Sequence, residues 1–281
     1  MKVADPLIDT IDQLCRRLVA LLRSIDDPSV PALPGWSVGD VVAHLTVATV
    51  GDTFAVERTP DPYGVSEVFA PLLTDAFVLG RAAVAELNAA SLERADERDV
   101  DRLADRIEER WGVLSRLLAE TSGERVVPWL GGIRLPVRAV ACHLAFSEWL
   151  MHGYDIARAI GKPWPIEREH ALLFFEDAAL PILTNADPRA FVDQAAASGV
   201  SVAYALRLRG ANEMHLRIED GVLSVEQSGP VDCTISADPV GAALVLFGRR
   251  SLASALLRGQ LLAWGKRPWL AVKLPRLLLS P

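Results

Sequence analysis

Two successive architectures are predicted for this chain of 281 residues. An all-α domain, a four-helix bundle, is expected over 1–185, and a smaller α+β domain over 198–281. Three observations carry this. Apolar residues recur at helical spacing through the first two thirds. The pattern changes to strand-like alternation near residue 200. The length suits two domains of ordinary size, and 51% apolar with 23% charged residues is a globular composition.

The elements follow in order. Asp5-Pro6 supplies a capping side chain and a first-turn proline. Leu7, Ile11, Leu14, Leu18 and Leu22 then mark one helix face. Leu33-Pro34-Gly35-Trp36 reads as a loop. Ser37 is an N-cap with Asp40 three residues on, a capping-box arrangement that opens a helix over about 38–50. Residues 51–70, with Pro60, Pro62 and Gly64, are expected as a loop, and a helical stretch runs from about Ser66 to Asn88. A charged helix follows over about 100–120, with Val100, Leu103, Ile107, Trp111, Leu114 and Leu118 on its apolar face and the run ERADERDVDRLADRIEER as its solvated side. Ser122-Gly123 and Val127–Gly132 interrupt the pattern. A last long helix spans about 136–159, stopped by Gly161 with Pro163 beyond. Four amphipathic helices joined in this way predict an antiparallel bundle.

The join is expected between about Thr184 and Ser198, where Pro188 and Ala195-Ala196-Ala197-Ser198-Gly199 stand. Beyond it, Ala205–Arg209 and Met214, Leu216, Ile218 alternate. Asp220-Gly221 is a hairpin turn, with Leu223 and Val225 on the returning strand. Cys233–Ser236 is a further strand, and helices are expected at Pro239–Leu246 and Lys266–Leu279.

The formal net charge of −7 disfavours nucleic acid, whose binding needs a basic face, and an anionic membrane surface. Asp5, Asp9 and Asp12 stand where a leader's apolar core would, and no run of about 18 apolar residues occurs. A cytoplasmic location is therefore the expectation. Cys15, Cys142 and Cys233 have no CxxC spacing and read as small buried hydrophobes. No GxGxxG or GxxxxGKS loop is present, and Ser251 and Ser254 have no histidine neighbour.

The chemistry-bearing stretch is His143–Asp155. Glu148 and His152 are four apart on a predicted helix, about 40° apart at about 100° per residue, so they share a face. A carboxylate and an imidazole so placed can hold a divalent ion, though a surface ion pair or a buried polar contact has the same spacing. His143, nine residues before His152, falls about half a turn away and is expected to point elsewhere as a packing histidine. Asp155 returns to the shared face, as an acceptor that orients a ligand or as a partner of Arg158. His44, on the capped helix, can supply a third ligand across the bundle. His170 and His215 are expected to be exposed.

Leu33–Leu45 (LPGWSVGDVVAHL) resembles the first signature of the mycothiol-dependent maleylpyruvate isomerase family, in the DinB-like metalloprotein superfamily. Glu148-x-x-x-His152-Gly-Tyr-Asp155, continuing to Gly161-Lys-Pro163, resembles its second. The resemblance implies a DinB-like four-helix bundle, zinc held by His44, Glu148 and His152, and mycothiol as a thiol cofactor. Phe247-Gly248-Arg249-Arg250 and Gly259–Leu274 resemble a sterol-carrier-like domain, which follows the bundle in that family. Relatives often carry arginine just before the second-signature Glu, where Ala145 and Ser147 stand here. They also use a C-terminal arginine near the metal, for which Arg207, Arg209 and Arg217 are the candidates.

A metal-activated thiolate acting on a small electrophilic substrate, as isomerase or S-transferase, is the function expected. A metal-water hydrolase is a second reading. A binding protein with an apolar ligand held among Phe247, Leu261, Trp264 and Trp269 is a third.

Overall fold

The computed structural model describes residues 5–75, 77, 81–94, 97–121 and 123–279. Ser122, and parts of the expected 66–88 helix and of the charged run, lie outside the described residues. By contacts the chain divides into two units. The first comprises 1–78, 82–166 and 177–179; the second comprises 79–81, 167–176 and 180–281. Residues 167–176 and 180–185, expected with the helical domain, thus group with the second unit.

The first unit begins with α1 (Pro6–Leu22), whose N-cap Asp5 accepts from Leu7 N. Leu7, Ile11, Leu14, Leu18 and Leu22 are buried, as the spacing predicts. The expected loop at Leu33–Trp36 is a small hairpin, β1 (Pro31–Leu33) and β2 (Trp36–Ser37), turning through Gly35 at φ +80°. Next comes α2 (Val38–Glu57), opened by the capping box of Ser37 and Asp40. It runs a full two turns past the expected end because it is buried on all sides, which overrides its β-branched residues and glycines.

The stretch expected as one helix from Ser66 to Asn88 is broken into α3 (Val65–Phe69), a 3-10 turn at Ala70–Leu73 and α4 (Arg81–Arg94). Gly51 of α2 lies so close to Phe69 that a Cβ there would stand 2.2 Å from the ring. Then α5 (Val100–Thr121) buries Leu103, Ile107, Trp111, Leu114 and Leu118. Its charged side is not wholly solvated: Arg110 is buried and pairs with Glu57.

A hairpin of β3 (Val126–Pro128) and β4 (Arg134–Pro136) occupies the break and leads into the last long helix. That helix comprises α6 (Val137–Cys142), a π-helical segment His143–Trp149 and α7 (Leu150–Ala159). Gly161 ends it at φ +70°, a conformation glycine adopts without Cβ strain. α1, α2, α5 and this helix pack against one another around Ile11, Leu45, Ile107, Phe146 and Trp149.

The second unit starts with α8 (Arg168–Leu173), a π-helical segment Phe174–Ala179 that overlaps the first unit, and α9 (Leu180–Asn185). Its sheet has the order β7-β6-β5-β8-β9. The strands are β5 (Ser201–Leu208), β6 (Glu213–Glu219), β7 (Val222–Glu226), β8 (Cys233–Ala237) and β9 (Leu261–Trp264). β5 and β8 are parallel, and the other neighbours are antiparallel. α10 (Pro239–Leu246), capped by Asp238, and α11 (Leu252–Leu257) join β8 to β9. The helix expected over 266–279 is a 3-10 segment Pro268–Val272 followed by α12 (Leu274–Leu277), because Pro268 and Pro275 interrupt it. Tyr204, Leu216, Ile218, Cys233 and Leu270 form the unit's core, and the Tyr204 hydroxyl donates to Leu270 O.

No helix among the described residues is long and apolar enough to cross a membrane.

Candidate metal centre

The capping box fixes where α2 begins, and His44 follows two turns in, with its imidazole buried. Its orientation is set on two sides. Trp36, just before the cap, meets the ring edge-on at 5.3 Å between centroids, and His152 meets it at 5.0 Å. Nε2 of His44 lies 3.1 Å from Glu148 Oε2. Nε2 of His152 lies 3.7 Å from the same oxygen. One ligand atom from each of His44, Glu148 and His152 falls within 4.8 Å of the others. The structure therefore brings together the three residues that the signatures single out.

Asp155, buried, sits 3.1 Å from His152 Nδ1. A carboxylate accepts only, so Nδ1 carries the proton in this contact, and Nε2 is left as the atom facing Glu148. The alternative of a ligand-orienting acceptor thus has its geometry. Gly153, next to His152, lies flat against Trp164, whose indole donates to Leu150 O at 2.9 Å.

His143 does not point away. Its Nε2 is 3.9 Å from Glu148 Oε1, its Nδ1 is 3.3 Å from Asp52 Oδ2, and its ring packs edge-on against Trp129. The half-turn displacement holds for α-helical periodicity. His143–Trp149 is π-helical, with hydrogen bonds between residues five apart, and this wider turn stacks His143 beneath Glu148. Asp52, which the sequence reading missed, also accepts from the Trp129 indole at 2.8 Å. Its place on α2, eight residues after His44, was the available signal.

Burial would raise the Glu148 carboxyl, but the hydrogen bond with His44 and the imidazoles of His44, His152 and His143 hold it well below its ordinary range. For His143, burial opposes the charged form, and the bond to Asp52 together with the nearby Glu148 raises it instead. A partly buried carboxylate faced by imidazoles is a donor set of the His/Glu type that suits zinc and similar divalent ions.

The chain offers no thiol of its own for chemistry. Cys15, Cys142 and Cys233 are all buried, and burial pushes the Cys15 thiol up to about 12.

Other expectations are corrected. His170 is buried, and the His215 side chain is only 13% exposed, with Nε2 2.7 Å from Glu213. The three arginine candidates keep their place as candidates and have local partners: Arg207 pairs with Glu213, Arg217 with Glu226, and Arg209 donates to Gly259 O. Trp264 and Trp269 are exposed, while Leu261 is in the core.

The model of the family described as "Mycothiol maleylpyruvate isomerase N-terminal domain" matches residues 11–157, a span that contains His44, Glu148 and His152. No curated protein matches the chain. Among solved structures, a crystal structure of the mycothiol-dependent maleylpyruvate isomerase is 15% identical, covering 88% of this chain and 90% of that one, with a TM-score of 0.47. A mutant of that isomerase is 13% identical, covering 92% and 91%, with a TM-score of 0.49. The ubiquinone synthesis protein UbiJ-SCP2 is 20% identical, covering 29% of this chain and 76% of that one, with a TM-score of 0.23.

Proposed function

From the premise that the chain belongs to the mycothiol maleylpyruvate isomerase family through its N-terminal domain, we propose that it is a divalent-metal-dependent, thiol-dependent isomerase or S-transferase. Its substrate is a small electrophile. The observation that carries this reading is the meeting of His44, Glu148 and His152, with ligand atoms within 4.8 Å of one another, inside the matched span.

His44 Nε2, His152 Nε2 and a Glu148 oxygen would hold the ion, zinc by the chemistry of the donors. When bound, such an ion with an open position favours the thiolate form of mycothiol or a similar thiol, the nucleophile for an activated double bond or another electrophile.

The chain's own residues prepare this. Asp155 holds the His152 tautomer, and Trp36 and the capping box hold His44. The buried positions of Cys15, Cys142 and Cys233 support a diffusible source of sulfur. Asp52 and His143 add a polar pair on the far side of the Glu148 carboxylate. The reading is completed by a DinB-like four-helix arrangement of the first unit, a sterol-carrier-like second unit and a cytoplasmic location.

His152→Ala is expected to lose bound metal and thiol-dependent turnover together, with the helical circular dichroism retained. Full turnover in a metal-free His152→Ala protein would sink the proposal.

A further inference from the structure

From Pro239 to the end, the sequence holds seven lysines and arginines, from Arg249 to Arg276, and no aspartate or glutamate. The chain as a whole is acidic at −7, so the rest carries all of the negative excess. In the fold, Arg258, Lys266, Arg267, Lys273 and Arg276 of this segment are exposed. Arg267 is paired with Asp232 at 2.6 Å.

The same segment displays Leu256, Leu257, Leu262, Trp264, Trp269 and Val272 as exposed large apolar side chains; among the described residues only Val126 is a further one. Leu257 is 89% exposed as the last residue of α11, and Trp269 is 59% exposed on the 3-10 segment. These elements adjoin. α11 and the 3-10 segment both pack on β9, one of the two edge strands of the sheet, which among the described residues pairs with β8 alone. Leu262 and Trp264 are two apart on β9 and share one face of it.

We propose that this surface around β9 docks onto an anionic phospholipid bilayer. Indole rings prefer the headgroup level, leucine side chains enter the acyl boundary, and lysine and arginine answer the lipid phosphates. Acidic side chains would be repelled by that layer, and the segment has none. The net charge does not oppose this, because exposed charges are screened beyond about 10 Å at 0.1 M salt, and the local patch decides. A protein partner is the weaker fit, since the fully buried part of such an interface is depleted of lysine, whereas the exposed Lys266 and Lys273 alternate in sequence with the exposed apolar residues Trp264, Trp269 and Val272 here.

The test is co-sedimentation of the full chain with vesicles of phosphatidylcholine alone and of phosphatidylcholine mixed with phosphatidylglycerol. Binding is expected to the anionic vesicles only, and to fall with added salt. Lys266→Glu and Lys273→Glu should each weaken it by at least about fivefold, and Leu257→Asp should weaken it further. All three are surface changes, so their melting temperatures should match the parent. Absence of binding to anionic vesicles, or equal binding to both vesicle types, overturns the proposal. So does a concentration-dependent dimer in sedimentation velocity that Leu257→Asp abolishes, since a second copy would then cover this face.

Discussion

Glu148 owes its state to its neighbours. A carboxylate largely withdrawn from water is costly unless positive or donating groups face it, and here His44, His152 and His143 do so. Asp155 acts one step further out, through His152 Nδ1. Asp155→Asn is therefore expected to weaken metal binding about 10- to 100-fold with little change in fold, read by competition with a chromophoric chelator. An unchanged affinity would show that His152 does not need this partner. At this scale the sequence was informative where chemistry follows from spacing on one regular helix, as for Glu148 and His152. It misled for His143, because an angular argument multiplies any error in the assumed period, and nine residues is far enough for a single wide turn to bring the ring round. His215 was misjudged because its place on a strand says which way it points and not what covers it.

The elements that place the ligands are α2 and the helix from Val137 to Ala159. The first is fixed at its start. Ser37 accepts from Asp40 N, and Asp40 accepts from Ser37 N. Ser37→Ala is expected to cost about 1 kcal/mol in urea unfolding, and the loss should be accompanied by weaker metal binding, since His44 is counted from that cap. The second is fixed near its end by the close approach of Gly153 to Trp164, where a Cβ would stand 2.4 Å from the indole. Arg17 covers the same ring at 4.0 Å to its centroid, which leaves the indole little freedom to move aside. Gly153→Ala should therefore destabilise by about 1–3 kcal/mol, checked by chemical denaturation; a neutral result would mean that Trp164 swings clear.

Caps and glycine stops were readable because they rest on local side-chain-to-backbone chemistry, as at Asp5, Ser37 and Gly161. The π-helical segment and the true end of α2 were not, because both follow from packing between helices that a window of sequence does not contain. The edge strand β9 was missed for a related reason. Leu261–Trp264 is too short and too uniformly apolar to show alternation, and its pairing partner β8 lies well upstream.

On the scale of the whole chain, the change of pattern near residue 200 marks a real change of architecture, from packed helices to a five-stranded sheet. The contact division falls earlier because residues 167–176 and 180–185 pack with the sheet, and helical periodicity alone cannot assign a helix to a neighbour. Net charge was the least informative number at this scale, since it averages an acidic majority with a basic final segment.

On the proposed function, His44, Glu148 and His152 hold a divalent ion in the working protein. Removing the ion should lower the melting temperature, because a ligand that binds only the folded state stabilises it, by about 4 kcal/mol at a thousandfold excess over its dissociation constant. The most direct measurement is elemental analysis of the purified protein followed by thiol titration of the metal-bound form. About one divalent ion per chain is expected, with a thiol-induced spectral change in the cobalt-substituted protein and the loss of both in His152→Ala. A protein that contains no stoichiometric metal and takes none up on reconstitution would contradict it.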